Sequence, residues 1–137
     1  MKRTILLLAV LLGGPAAQAG SAAALLEAYR GEAAAQTRSY AGPTAARGDA
    51  FFHARGRDWS CASCHTPDPR QTGRHAVTGK PIRPLAPGAD PARFTDRAKA
   101  EKWFKRNCKD THGRECTAAE KADLLAYLIS LDNRSKP

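Results

Sequence analysis

Two cysteines three positions apart, Cys61 and Cys64, are followed at once by His65. Thiolate sulfur is a soft nucleophile and metal ligand, and imidazole is a versatile ligand, so five residues holding all three can do only a few things. A zinc knuckle would want a second ligand pair of comparable spacing, whereas Cys108 and Cys116 stand eight apart and sit better as a disulfide. A thioredoxin-like dithiol would want a helix after it, which Pro67 and Pro69 forbid. What remains is the Cys-x-x-Cys-His pattern of covalent haem attachment. Two thioethers form to the vinyl groups, and the adjacent histidine is delivered beneath the iron. The pattern predicts one haem c, carried by Cys61 and Cys64, with His65 as proximal ligand.

The other axial ligand is harder to read. A thioether would suit an electron carrier because it stabilises ferrous iron, but the single methionine is Met1, in a segment that reads as removable. The candidates left are His53, His75, His112, Asn107, a lysine, or no protein group. Asn107 closes an otherwise apolar stripe, so its amide would need partners, and iron is one possible partner for the oxygen. Ending a helix is an equally ordinary use of asparagine. Cys108 and Cys116 close a small ring just after it, a constraint of about 2.5 kcal/mol in the chain-entropy model.

These groups must be positioned by helices. Ser21 to Thr37 is alanine-rich with Leu25, Leu26 and Tyr29 at helical spacing. Thr44 can cap a second helix from Ala45 to about Arg55, holding Gly48 and Phe52 four apart. Thr66 to Pro91, rich in proline and glycine, predicts a long irregular loop, which a haem can organise by giving the chain a flat apolar surface to wrap. A third helix is expected from Asp96 to about Asn107, capped by Thr95, with Ala100, Trp103, Phe104 and Asn107 on one face. Thr117 and Glu120 form a capping box before a last helix whose buried face is Leu124, Leu125, Tyr127, Leu128 and Leu131. The expectation is an all-α domain of about four helices around one covalent haem. Gly48, Phe52 and Tyr127 resemble the crossing of terminal helices in class I cytochromes c.

Lys2 and Arg3, the apolar run Ile5 to Leu12, and Ala17-Gln18-Ala19 read as a secretory signal over residues 1–19, leaving a cytochrome domain over 20–137 in the periplasm. The run is too short to span a bilayer. Haem attachment and a disulfide both suit that oxidising side of the membrane. The formal charge of +9 becomes +7 without Lys2 and Arg3. Because the cations are scattered rather than gathered on one arm or helix face, they argue against nucleic acid and for an acidic redox partner or an anionic membrane surface.

A resemblance then emerges. Thr78-Gly79-Lys80-Pro81-Ile82, Pro84-Leu85-Ala86-Pro87, Arg93-Phe94-Thr95-Asp96, Glu101-Lys102-Trp103 and Arg106-Asn107-Cys108 resemble the oxygen-binding cytochromes c called SHP, the sphaeroides haem proteins. Gly113, Arg114, Cys116 and the stretch Glu120 to Ala126 continue the likeness over most of the mature chain. The resemblance implies a class I-like fold in which Asn107 binds ferric iron and leaves on reduction, opening the site to oxygen, nitric oxide or similar ligands. It also implies a diheme cytochrome c and a membrane cytochrome b as electron donors. The protein itself is expected to be a monomer. A related family, cytochrome c double-prime, uses a histidine instead. His112 inside the disulfide ring keeps His/His ligation, and with it a plain electron carrier, as the alternative. A third reading is an oxygen or nitric oxide reductase or dioxygenase, with His75, Arg74 or Arg83 in the distal pocket. Lys80, Arg83, Arg93 and Arg97 are the candidates for holding the haem propionates.

Overall fold

The computed structural model describes residues 20–132, so the predicted export segment lies outside the described residues. The order is α1 (Ala22–Gln36), α2 (Ala45–His53), α3 (Cys61–His65), β1 (Gly73–Arg74), β2 (Pro81–Ile82), α4 (Arg97–His112) and α5 (Ala118–Ser130). The architecture is helical, as expected, with one extra turn of helix at the cysteine pair and one small hairpin.

Each long helix begins at a side chain that accepts an otherwise unpaired amide. Ser21 accepts from Ala24, Thr44 from Arg47, Asp96 from Lys99 and Thr117 from Glu120, at 3.0–3.2 Å. The cap of α4 is therefore Asp96 and not Thr95, whose hydroxyl instead donates to the Ala92 carbonyl. At α5 the box is reciprocal, because the Glu120 carboxylate accepts from the Thr117 amide at 2.9 Å.

The core forms where α1 and α2 pack on α5. Leu25, Tyr29, Phe52, Leu124, Leu125, Tyr127 and Leu128 are buried there. A Cβ on Gly48 would lie 1.9 Å from the Asp123 carbonyl oxygen and 2.7 Å from Tyr127 Cβ, so only glycine permits this crossing. Asp123 is buried beside it and accepts from the Thr44 amide at 2.7 Å and from Arg47 Nε at 2.8 Å. Its buried charge is thereby compensated.

Helix α4 departs from the expectation at its end. It runs on to His112, through Asn107, and stops at Gly113 in the left-handed conformation, φ 69°. Asn107 is thus an interior residue, and the Thr111 hydroxyl donates back to its carbonyl at 2.8 Å. Ala100, Phe104, Cys108 and Thr111 form the buried face. Trp103 lies outside it, 45% exposed, with Asn107 half-buried one turn further on.

The proline-rich stretch is not irregular throughout. Gly73 pairs with Ile82 and Arg74 with Pro81 in an antiparallel hairpin. His75 organises its tip: Nδ1 accepts from the Val77 and Thr78 amides at 3.3 and 3.2 Å, and its carbonyl accepts from Gly79 at 2.8 Å. Further on, the Pro69 carbonyl accepts from both Leu85 and Ala86, at 2.8 and 3.0 Å. Side chains and local turns thus supply the order that long-range ladders do not.

Candidate functional site

Helix α3 is a single turn, and its i, i+3 spacing sets Cys61 and Cys64 on one side. Both thiols are unbridged. After His65 the chain turns sharply at Thr66, whose φ of 63° and ψ of 160° are rare for a β-branched residue and cost about 1–3 kcal/mol. The Thr66 hydroxyl donates to the Asp68 carbonyl at 2.6 Å and helps to hold the turn. The hairpin then folds back onto α3: a Cβ on Gly73 would lie 2.1 Å from the Cys64 carbonyl oxygen, and the Ala76 amide donates to Cys64 Sγ at 3.3 Å.

Electrostatics separate the possible uses of these groups. Burial pushes the Cys61 thiol up to about 11, the reverse of the lowered value that activates a redox dithiol. Burial, with the positive charge of Arg93, pulls His65 down to about 4. Its ring is therefore neutral at pH 7 and keeps a free lone pair for a metal. Among the described residues no three His, Cys, Asp or Glu side chains converge as a metal cage, which disfavours a protein-only zinc site.

The remaining ligand candidates sort by what already engages them. The His53 ring lies 3.0 Å from the Asp49 carbonyl and 3.3 Å from that of Pro67, so both its nitrogens have neighbours. His75 uses Nδ1 to accept the Val77 and Thr78 amides in the hairpin tip. His112 stacks on Phe51, centroids 4.5 Å apart at 21°, and its buried Nε2 has no hydrogen-bond partner. The Asn107 amide likewise makes no hydrogen bond among the described residues. Cys108 and Cys116 are joined, with their Cα atoms 5.7 Å apart, so the disulfide closes immediately after Asn107.

Of the cations considered for propionates, Arg97 pairs with Glu32. Arg83 and Arg93 both reach the buried carboxylate of Asp90. Arg93 is further fixed by donating to the carbonyls of Pro84 and Arg83 at 2.8 and 2.6 Å, whereas Lys80 has no ion pair among the described residues. The Asp90 cluster and the Ala76 contact were not foreseen from the sequence. A hairpin could have been suspected from Gly79, which adopts φ 68°, but nothing in residue order signals that an amide at 76 meets a sulfur at 64.

Comparison with known proteins places this geometry. Residues 38–128 match a family described as a domain of unknown function, DUF1924. The cytochrome c-type protein SHP of Cereibacter sphaeroides is 44% identical over 135 residues, 95% of this chain and 99% of that one. The chain belongs to the SHP family of c-type cytochromes. Cytochrome c'' of Methylophilus methylotrophus, 42% identical over 93 residues, covers 64% of this chain and 65% of its own length. The structure of oxidized SHP, described as an oxygen binding cytochrome c, superposes with a TM-score of 0.71 at 44% identity, over 81% of this chain and 97% of that one. Oxidized cytochrome c'' gives 0.73 at 38% identity, over 80% and 93%, and its solution structure addresses haem-ligand detachment. The fold is accordingly the all-α cytochrome c fold.

As in the SHP family, the cofactor is one covalent haem c. The residues present fit it. Cys61, Ala62, Phe51, Leu85 and Phe94 pack against the core yet remain only partly covered by protein, and Trp103 is exposed beside Asn107. An incompletely covered apolar surface, two free thiols and a neutral imidazole together match a flat apolar group bearing a metal.

Proposed function

We propose that this SHP-family protein is an exported, periplasmic monohaem cytochrome, with its haem joined to Cys61 and Cys64 and ligated by His65, and with Asn107 as a second ligand held only in the ferric state. When bound, the haem supplies an iron that changes oxidation state by one electron and can take oxygen, nitric oxide or a related small molecule at a free position.

His65 can serve as the permanent ligand because burial keeps it neutral and its neighbour Cys64 tethers it. Asn107 suits the labile role. An amide oxygen is a hard, weak donor, better matched to ferric than to ferrous iron, so an added electron favours its release. The Cys108–Cys116 bridge and the Thr111 hydroxyl hold the backbone around Asn107, so release is a turn of the side chain rather than a movement of the helix. The unpartnered Asn107 amide, next to the disulfide and one turn from the exposed Trp103, is the observation that carries this reading. The oxygen binding named for SHP and the ligand detachment studied in cytochrome c'' support it. The electron comes from a partner cytochrome, a diheme cytochrome c or a membrane cytochrome b, to a monomer.

Anaerobic reduction followed by carbon monoxide tests the proposal. The ferrous protein should turn high-spin and bind the gas. If it stays low-spin and ignores carbon monoxide, the second reading prevails: a plain electron carrier ligated by His65 and His112, whose buried Nε2 is free to serve.

A further inference from the structure

Three large apolar side chains stand exposed among the described residues: Trp59, Trp103 and Val77. Val77 is the most open, at 77%, and it sits at the hairpin tip rather than beside Asn107. A lone exposed valine means little. What surrounds this one is informative.

The tip is rigid. It is fastened at its base, where Gly73 touches the Cys64 carbonyl, and at its side, where the Ala76 amide meets Cys64 Sγ. Across its top the His75 ring gathers the Val77 and Thr78 amides, and Arg74 donates to the Gly79 carbonyl at 2.7 Å. Such a loop presents its apolar residue without losing much entropy when something binds. It also carries net charge. From Arg70 to Ala89 the chain holds Arg70, Arg74, Lys80 and Arg83 and not one acidic residue. Arg70 is offset by Asp68 and Arg83 by Asp90, but Arg74 is bonded only to a neutral carbonyl and Lys80 has no ion pair among the described residues.

We infer that the 73–82 hairpin is the docking surface for an acidic electron-donating protein, with Val77 as its apolar centre and Arg74 and Lys80 as its cationic rim. An apolar contact ringed by charge suits a transient complex, in which the charges steer encounter and the small dry centre lets the partner leave again. The position is also right for the task. The inference rests on the proposed haem attachment at Cys64, because the Ala76 amide, next to Val77 at the tip, donates to the Cys64 sulfur at 3.3 Å.

The test uses the haem-loaded protein and stopped-flow reduction by photoreduced flavodoxin, an acidic one-electron protein donor. Reduced methyl viologen, a small cation that needs no docking surface, serves as control. Thr78→Glu, which adds a negative charge at the exposed tip, should slow reduction by flavodoxin about fivefold at low salt and lose most of that difference at high salt, whereas Val77→Ser should slow it about threefold at either salt, with the viologen rate unchanged in both. Lys105→Gln makes the same charge change on α4 and should alter the flavodoxin rate less than twofold. The inference is overturned if Lys105→Gln slows flavodoxin as much as Thr78→Glu does, or if the viologen rate falls in parallel. It is also overturned if Thr78→Glu abolishes binding to anionic phosphatidylglycerol vesicles while leaving the flavodoxin rate intact, since the rim would then serve a membrane. Failure of the attachment itself would register separately, as absence of covalent haem in the purified chain.

Discussion

The α2–α5 crossing and the α3–hairpin region solve different problems. At the crossing, Phe52, Leu125 and Leu128 are fully enclosed, and the one buried charge, Asp123, has its partners in Thr44 and Arg47. Around α3 and the end of α4, Cys61, Ala62, Leu85 and Phe94 are left partly open, Thr66 holds a costly backbone conformation, the half-buried Asn107 amide makes no hydrogen bond to the described residues, and His112 Nε2 is buried without a partner. The crossing is closed by apolar packing, even though the nearby Tyr40 hydroxyl is buried without a partner. The other region leaves apolar surface partly open, which suits it to be covered by the haem.

The sharpest way to break this contrast is to remove the attachment. Cys61→Ala combined with Cys64→Ala should eliminate the haem that survives extraction with acidified acetone. Hydrogen exchange should then show whatever protection remains concentrated in residues 45–53 and 118–130, with residues 66–95 exchanging freely. Residual protection centred on the hairpin instead would reverse the assignment of the two regions.

A smaller effect separates packed from open helix surface. Gly48→Ala gains about 1 kcal/mol of helix propensity but forces a methyl into the Asp123 backbone, which cannot swing aside as a side chain could. A net loss of about 3 kcal/mol is expected from urea unfolding of the holoprotein. Gly31→Ala, on α1 with nothing within 4 Å, has the propensity term alone and should stabilise by about 1 kcal/mol. Equal responses at the two glycines would mean that α2 and α5 are not in close contact.

The regions also differ in how well residue order foretells them. The crossing was legible because its signals are local and periodic: a capping threonine, a glycine and an aromatic four apart, and leucines along one face. The haem c was legible from the Cys-x-x-Cys-His pattern, but the single helical turn that carries those residues was not. The end of α4 was misread because asparagine was taken as a stop, whereas Gly113, six residues later, supplies the left-handed cap that ends a helix at lower energy. Trp103 was assigned to the buried face because apolar periodicity does not say whether protein or a cofactor covers a side chain. The hairpin stayed hidden for another reason. Two-residue strands carry no period, and their order comes from His75 and from contacts with α3 that are distant in sequence.

The finest distinction concerns His112, which belongs to the open region yet behaves as if packed. Burial against Phe51 and the nearby Arg114 charge hold its imidazole below the ordinary value, with Glu120 opposing them. Its Nε2, once protonated, would be a buried donor with no acceptor in reach. The sign of the pH effect follows. As pH falls through the ordinary histidine value of about 6.5, the unfolded chain takes up the proton first. The stability owed to the neutral ring is therefore complete above that pH and is lost progressively as pH drops toward the lower folded value. The urea midpoint of the holoprotein should consequently fall more between pH 7 and pH 5 than that of His112→Phe, which keeps the stack and removes the titrating nitrogens. Parallel slopes would show that the ring titrates as a free surface histidine does. An altered visible spectrum in His112→Phe, with the slope aside, would move His112 from a packing role to the iron.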